Sequence, residues 1–292
     1  MNKYLRRSIA GVFLILSIVI GYLYFFEARV VHGVYRCLVA TSSLYSCYAG
    51  FRRTTDFTFT TDFYGMKYRG NIGNAIDLEV LAIGAYEKPE LYFLRDVMQS
   101  VYSKQGTFLD VGANVGQHSL FMSRYATAVH AFEPYDLVLE RFRLMKNLNK
   151  AENIVIHPVG LGNKNQRLPF YEPPADNLGA GSFVTGSNPS VGRSVELEIV
   201  VGDDLLENAN VSAVNLIKMD IEGYEPFALQ GLSRTLAKNR PIVVFEVTVA
   251  PGKPFGFQSE SQMRSVSPRT IGFSCSMKGV TSIRDTITRV QS

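Results

Sequence analysis

Between residues 107 and 157 short apolar runs alternate with longer stretches whose apolar positions recur at helical spacing. The pattern predicts strands over 107–111, 128–132 and 154–157, with helices over 119–125 and 137–148 between them. Two further buried-strand candidates, 214–219 and 242–247, flank a helical stretch at 225–238. Strands that are apolar on both faces belong in a parallel sheet covered by helices, so the pattern is that of an α/β domain. Upstream, residues 57–63 alternate as a half-buried strand does. Residues 89–102 place Leu91, Leu94, Val97, Met98 and Val101 on one helix face, with Pro89 in the first turn. Residues 163–194 are rich in Gly, Pro, Ser and Asn and read as a long loop.

The amino terminus differs. Residues 9–26 contain no charged side chain and as a helix would span about 27 Å, enough to cross a bilayer. Tyr22, Tyr24, Phe25 and Phe26 gather at one end, as interfacial aromatics do, and Lys3, Arg6 and Arg7 flank the other. A single-pass membrane anchor over residues 1–28 is therefore expected. The sequence leaves open on which side of the membrane the rest of the chain lies.

Composition narrows the picture little further. The net charge of +4 arises from 30 basic and 26 acidic residues without a block of either sign, which argues against a nucleic-acid reader. Cys37, Cys47 and Cys275 share no metal-ligand spacing.

Chemistry concentrates in Phe108-Leu109-Asp110-Val111-Gly112-Ala113-Asn114-Val115-Gly116, an apolar strand that ends in an acid and turns through two glycines into a helix. Glycine serves where a backbone must turn sharply or let a ligand approach closely. A dinucleotide fingerprint starting at Gly112 would need glycine at 114 and 117, where Asn114 and Gln117 stand. The spacing favours S-adenosylmethionine over a nicotinamide cofactor. Glu133 ends the next strand 23 residues beyond Asp110, at the separation where a carboxylate reaches ribose hydroxyls. The expected cofactor site is Asp110, Gly112, Asn114, Gly116 and Glu133.

Asp220 and Glu222 close a later strand at the same sheet edge. A carboxylate there can take the proton of an acceptor, Asp220 being the first choice and Glu222 the second; the competing reading is that they cap a helix or tie down a loop. No metal site is expected, because no histidine accompanies these acids. His118 and His157 receive no role, and Phe121, Phe132 and Phe142 are assigned to core packing.

FLDVGANVGQHSLFMS, AFEP and LIKMDIEGYE, together with IGAYEKPE before them and RPIVVFEV after, resemble the FkbM-type methyltransferases over roughly residues 56–250. The resemblance implies a class I (Rossmann-like) methyltransferase fold: a mostly parallel sheet with helices on both faces, here preceded by the transmembrane helix. It implies methyl transfer from S-adenosylmethionine to a hydroxyl of a sugar, glycan or secondary metabolite. The chain divides into the anchor at 1–28, a lead-in over 29–105, the cofactor-binding core at 106–250, and a tail at 251–292. In the tail GFSCSMKG is the candidate sixth strand and the final strands are expected to be incomplete. That expectation motivates a second reading, a non-catalytic tethered protein; a nicotinamide-dependent oxidoreductase is a third. Neither the acceptor nor the oligomeric state is legible.

Overall fold

The computed structural model describes residues 58–102, 106–173, 181, 183, 194–246, 256–259, 261 and 270–273. The expected anchor lies outside these residues. Among the described residues no helix is long and apolar enough to cross a membrane.

The chain forms two compact units, one of Met1–Phe59 with Gly70–Ile83, the other of Thr60–Arg69 with Gly84–Ser292. In order along the chain lie β1 (Thr58–Phe63), β2 (Met66–Asn71), α1 (Ala75–Ile83), α2 (Lys88–Tyr102), β3 (Thr107–Val111), α3 (Gln117–Met122), β4 (Ala128–Phe132), α4 (Asp136–Asn149) and β5 (Ile154–His157). Then follow β6 (Gly160–Gly162), β7 (Gln166–Tyr171), β8 (Ser194–Val201), α5 (Gly202–Asn208), β9 (Leu216–Met219), α6 (Glu225–Gly231), α7 (Ser233–Asn239), β10 (Ile242–Glu246) and β11 (Thr270–Phe273). In the first unit the Asn74 side chain caps α1 by accepting the backbone N–H groups of Ile76 and Asp77 at 3.1 and 3.3 Å.

The second unit is built on a six-stranded sheet of order β11-β10-β9-β3-β4-β5, in which every pairing is parallel. The central strands are buried at successive positions, as strands covered on both faces must be: all four residues of β9 are buried, and all but the first of β3. Leu109, Val111, Ile217, Met219, Val243 and Phe245 join Leu229, Leu232 and Phe257 in one core. From β3 the chain steps outward through β4 to β5, then returns to lay β9 on the other side of β3. The order thus reverses between β3 and β9, and the crevice for a ligand in such a sheet lies beyond the carboxyl ends of the strands at that point.

Three expectations change. The stretch read as one long loop holds β7 and the start of β8, which pair antiparallel in a second sheet of order β6-β8-β7. Its Gly, Pro and Ser residues cluster after Pro173, while Pro169 is tolerated because β7 is an edge strand. The expected helix over 225–238 is two, broken at the buried Leu232. The sixth strand is present over Thr270–Phe273, beginning two residues before the expected segment and overlapping its first two residues, and runs parallel to β10.

The strand ends at the switch point nearly touch. Gly112 has φ of +82°, and a Cβ placed on it would lie 1.9 Å from the carbonyl oxygen of Asp220. Asp220 in turn donates its N–H to the carbonyl of Val111 at 3.0 Å. Any side chain at 112 would push β9 away from β3. Gly112→Ala is expected to destabilise the protein by about 3 kcal/mol or more in urea unfolding, since backbone strain and a backbone clash add. Wild-type stability in that variant would show that the strand ends do not meet here.

Candidate active site

The loop from Gly112 to Gly116 satisfies its own hydrogen bonds. The N–H groups of Gly112 and Ala113 both reach the carbonyl of Phe132, at 3.0 and 3.1 Å, and that of Gly116 reaches Ala113. The Asn114 N–H binds one Glu133 carboxylate oxygen at 2.9 Å, and the Val115 N–H binds the Asn114 side-chain oxygen at 2.7 Å. Phosphate cradles depend on free, convergent N–H groups, and here all five are engaged within the loop region. The geometry therefore disfavours a pyrophosphate for a reason independent of glycine spacing. Asn114 sits at φ of +51°, in the left-handed region where Asn is among the better-tolerated residues. Gly116 is required by contact, because a Cβ there would lie 2.1 Å from the Phe142 ring.

Glu133 holds the loop from the neighbouring strand. Its second oxygen accepts the Tyr135 N–H at 2.9 Å, so the carboxylate bridges two backbone segments. Burial pushes its pKa up to about 7, against the opposing pull of those two N–H donors. Asp110 lies beneath the loop, with no exposed surface. It accepts the Ser119 hydroxyl at 2.6 Å, which fastens α3 to β3, and its other oxygen has no hydrogen-bond partner. Burial raises its pKa as well. Asp110 thus positions the loop from below rather than lining its surface.

On β9, Lys218 is buried and its ammonium lies 3.3 Å from the Asp220 carboxylate. Burial opposes its charge, but Asp220, Glu90, Asp110 and Glu87 outweigh this, and its pKa lies above the ordinary value. Asp220 is at the crevice with its side chain 32% exposed, beside the glycine loop as expected. Glu222 is placed differently: it is exposed, at φ of +54°, on the turn that follows. The loop-tying role weighed for these acids belongs to Glu225, which accepts the Ile221 N–H at 2.9 Å from the first turn of α6. Its pKa is pushed up to about 7 by burial.

A third group joins the site from the start of α2, the residue before it and α3. Glu87 and Glu90 face His118, whose Nε2 lies 3.8 Å from a Glu87 oxygen and 3.5 Å from a Glu90 oxygen. The Gln117 side chain secures this arrangement: its oxygen accepts the Tyr86 N–H at 2.8 Å and its amide donates to the Tyr86 carbonyl at 2.9 Å. Burial lowers the His118 pKa well below its ordinary value, the Lys218 charge adding to the effect, so the imidazole is neutral. Burial raises Glu90 to about 7. Sequence reasoning gave these residues no role. The i, i+3 spacing of the two glutamates at a helix start was a signal, but their partner lies 28 residues beyond Glu90.

Aromatic rings extend from the crevice toward the second sheet. Tyr135 meets Phe170 at 5.2 Å between centroids, Phe170 meets Phe183 at 5.3 Å, and Phe183 meets Tyr224 at 5.3 Å. Phe170 and Phe183 are half-buried, with ring surface left for a ligand. Phe121, Phe132 and Phe142 are fully or almost fully buried, as core residues are.

A family model for the methyltransferase FkbM domain matches residues 110–269, extending beyond the point where the sequence motifs fade. The hexuronic acid methyltransferase AglP of Haloferax volcanii is 31% identical over 157 residues, covering 53% of this chain and 62% of that protein. Methyltransferase 1 of Beauveria bassiana is 28% identical over 142 residues, covering 42% of this chain and 57% of that protein. The chain thus spans less than two thirds of the length of these curated relatives. Among solved structures, methyltransferase FkbM from Methylobacillus flagellatus KT aligns with a TM-score of 0.38 at 20% identity, covering 56% of this chain and 38% of the other.

Two outcomes follow from the buried charges. Lys218→Met leaves the surrounding carboxylates without their ammonium and is expected to cost about 3 kcal/mol or more of stability at neutral pH; an unaltered urea midpoint would show the charge to be dispensable. Glu225 has a folded-state pKa of about 7 against 4.5 for the free side chain, so its contribution is full below pH 4.5 and is lost as pH rises through about 7. Urea unfolding from pH 5 to 8 should show declining stability, and Glu225→Gln should flatten the decline by up to about 3 kcal/mol.

Proposed function

The chain belongs to the methyltransferase FkbM domain family, and from that premise we propose that it transfers a methyl group from S-adenosylmethionine to a hydroxyl of a sugar. The observation that carries this reading is the glycine loop at the switch point, with its N–H groups engaged internally and a carboxylate, Glu133, on the adjoining strand end. Such a loop suits a nucleoside that carries an amino acid rather than a pyrophosphate. Each Glu133 oxygen accepts one backbone N–H and keeps a second acceptor site, and these two sites fit the paired hydroxyls of a ribose. When bound, S-adenosylmethionine supplies a methyl group on a cationic sulfur, open to in-line displacement.

The chain's own residues then have two tasks, alignment of the acceptor and removal of its proton. Asp220 is the base in this reading: it is at the crevice, partly exposed, and held by Lys218 at 3.3 Å. Glu222, exposed on the turn, is the second choice. The half-buried faces of Phe170 and Phe183 are the platform for the acceptor ring. A sugar acceptor draws support from AglP, whose name specifies a hexuronic acid. With residues 9–26 as a membrane anchor, the acceptor class we favour is a lipid-linked or surface glycan.

Calorimetric titration of the full chain with S-adenosylhomocysteine, with NAD as control, is expected to show binding of the first alone. Glu133→Ala should weaken that binding about tenfold or more, measured beside its thermal midpoint because the residue also ties the loop. Unchanged affinity would remove the ribose assignment. With a methyl-accepting glycan, Asp220→Asn should lower kcat by about 100-fold while leaving cofactor affinity intact. Full turnover in that variant would pass the role to another group.

A further inference from the structure

We propose that Glu87, Glu90 and His118 form a binding site for a divalent transition-metal ion. One ligand atom from each residue lies within 4.8 Å of the other two. The imidazole Nε2 stands 3.5 Å from the Glu90 oxygen and 3.8 Å from the Glu87 oxygen. Nitrogen and oxygen ligands about 2.0 to 2.2 Å from an ion are roughly 3.4 Å apart at tetrahedral angles, so small side-chain adjustments close the shell.

The groups facing one another have an unmet need. His118 Nε2 and Glu90 Oε1 are buried and neither has a hydrogen-bond partner. The His118 side chain is only 7% exposed, and burying such an atom unsatisfied costs about 1 to 3 kcal/mol. The imidazole Nε2 and the two carboxylate oxygens gather around one region, where a cation ligated by all three would satisfy them together. The surrounding charge favours the same occupant: the single ammonium of Lys218 is in the field of Asp220, Glu90, Asp110 and Glu87.

The site is preorganised and reachable. Gln117 grips the backbone of Tyr86 from both sides, fixing the segment that carries Glu87 against the helix that carries His118. The carbonyl of Glu87 accepts the N–H groups of Glu90 and Leu91, which locks the start of α2. The carboxylate side chains are 29% and 23% exposed, so an ion enters from solvent. One imidazole and two carboxylates suit Zn2+ or Mn2+, whereas Mg2+ prefers oxygen ligands alone and keeps its waters. Neither the cofactor nor the proton-transfer reading uses any of the three residues, so the proposal stands independently of both.

Titration of the full chain with Zn2+ and with Mn2+ by calorimetry tests it, with Co2+ absorption reporting the ligand set. A single equivalent should bind, His118→Ala and Glu90→Gln should each weaken binding about tenfold or more, and Mg2+ in excess should not compete. Circular dichroism and the urea midpoint establish that each variant is folded. No binding to the folded wild type, or wild-type affinity in both variants, overturns the proposal. So does an absence of metal binding combined with weaker S-adenosylhomocysteine binding in Glu87→Gln, which would give these acids to the cofactor's amino group.

Discussion

One ammonium in the interior governs this site. Lys218 is buried on β9 within the field of carboxylates from three directions: Asp220 beyond its own strand, Asp110 on the neighbouring strand, and Glu87 and Glu90 at the start of α2. A buried charge is tolerated only with compensation, and so is each buried acid. The lysine and the acids therefore depend on one another, and the segments that carry them must come together for any one to be accommodated. The crevice at the switch point is in this sense held by charge as much as by packing.

The glycine loop depends on the same region. Its left-handed turn at Gly112 lets the Asp220 carbonyl lie where a side chain would be, and the backbone bond from Asp220 to Val111 joins the two strand ends. The loop's N–H groups turn inward to Phe132, Glu133, Asn114 and Ala113. Spacing of glycines and direction of hydrogen bonds thus disfavour a pyrophosphate for separate reasons. Agreement between independent levels of description is what a foldable sequence shows.

The central sheet was legible because buried parallel strands announce themselves: the boundaries of β3, β4 and β5 coincide with the apolar runs at 107–111, 128–132 and 154–157. β7 was hidden, since an edge strand bearing Pro169 and polar residues resembles a loop by composition. At the site, Gly112, Asn114, Gly116, Glu133 and Asp220 were singled out by their place at strand ends in a fixed motif, and the fold gathers them at the ends of β3, β4 and β9. Asp110, expected in the cofactor site, is buried beneath the loop against Ser119, and spacing alone does not tell how deep an acid lies. The company of Glu87, Glu90 and His118 was illegible, because only the crossing of α2 over α3 brings them together.

The grip of Gln117 on residue 86 is made through the main chain. Its amide engages the N–H and carbonyl of Tyr86 and asks nothing of that residue's side chain. The course of the strap into Glu87 is thus set by two main-chain bonds to α3, so a change at Gln117 would be felt at the rim of the crevice, one residue beyond the point it grips.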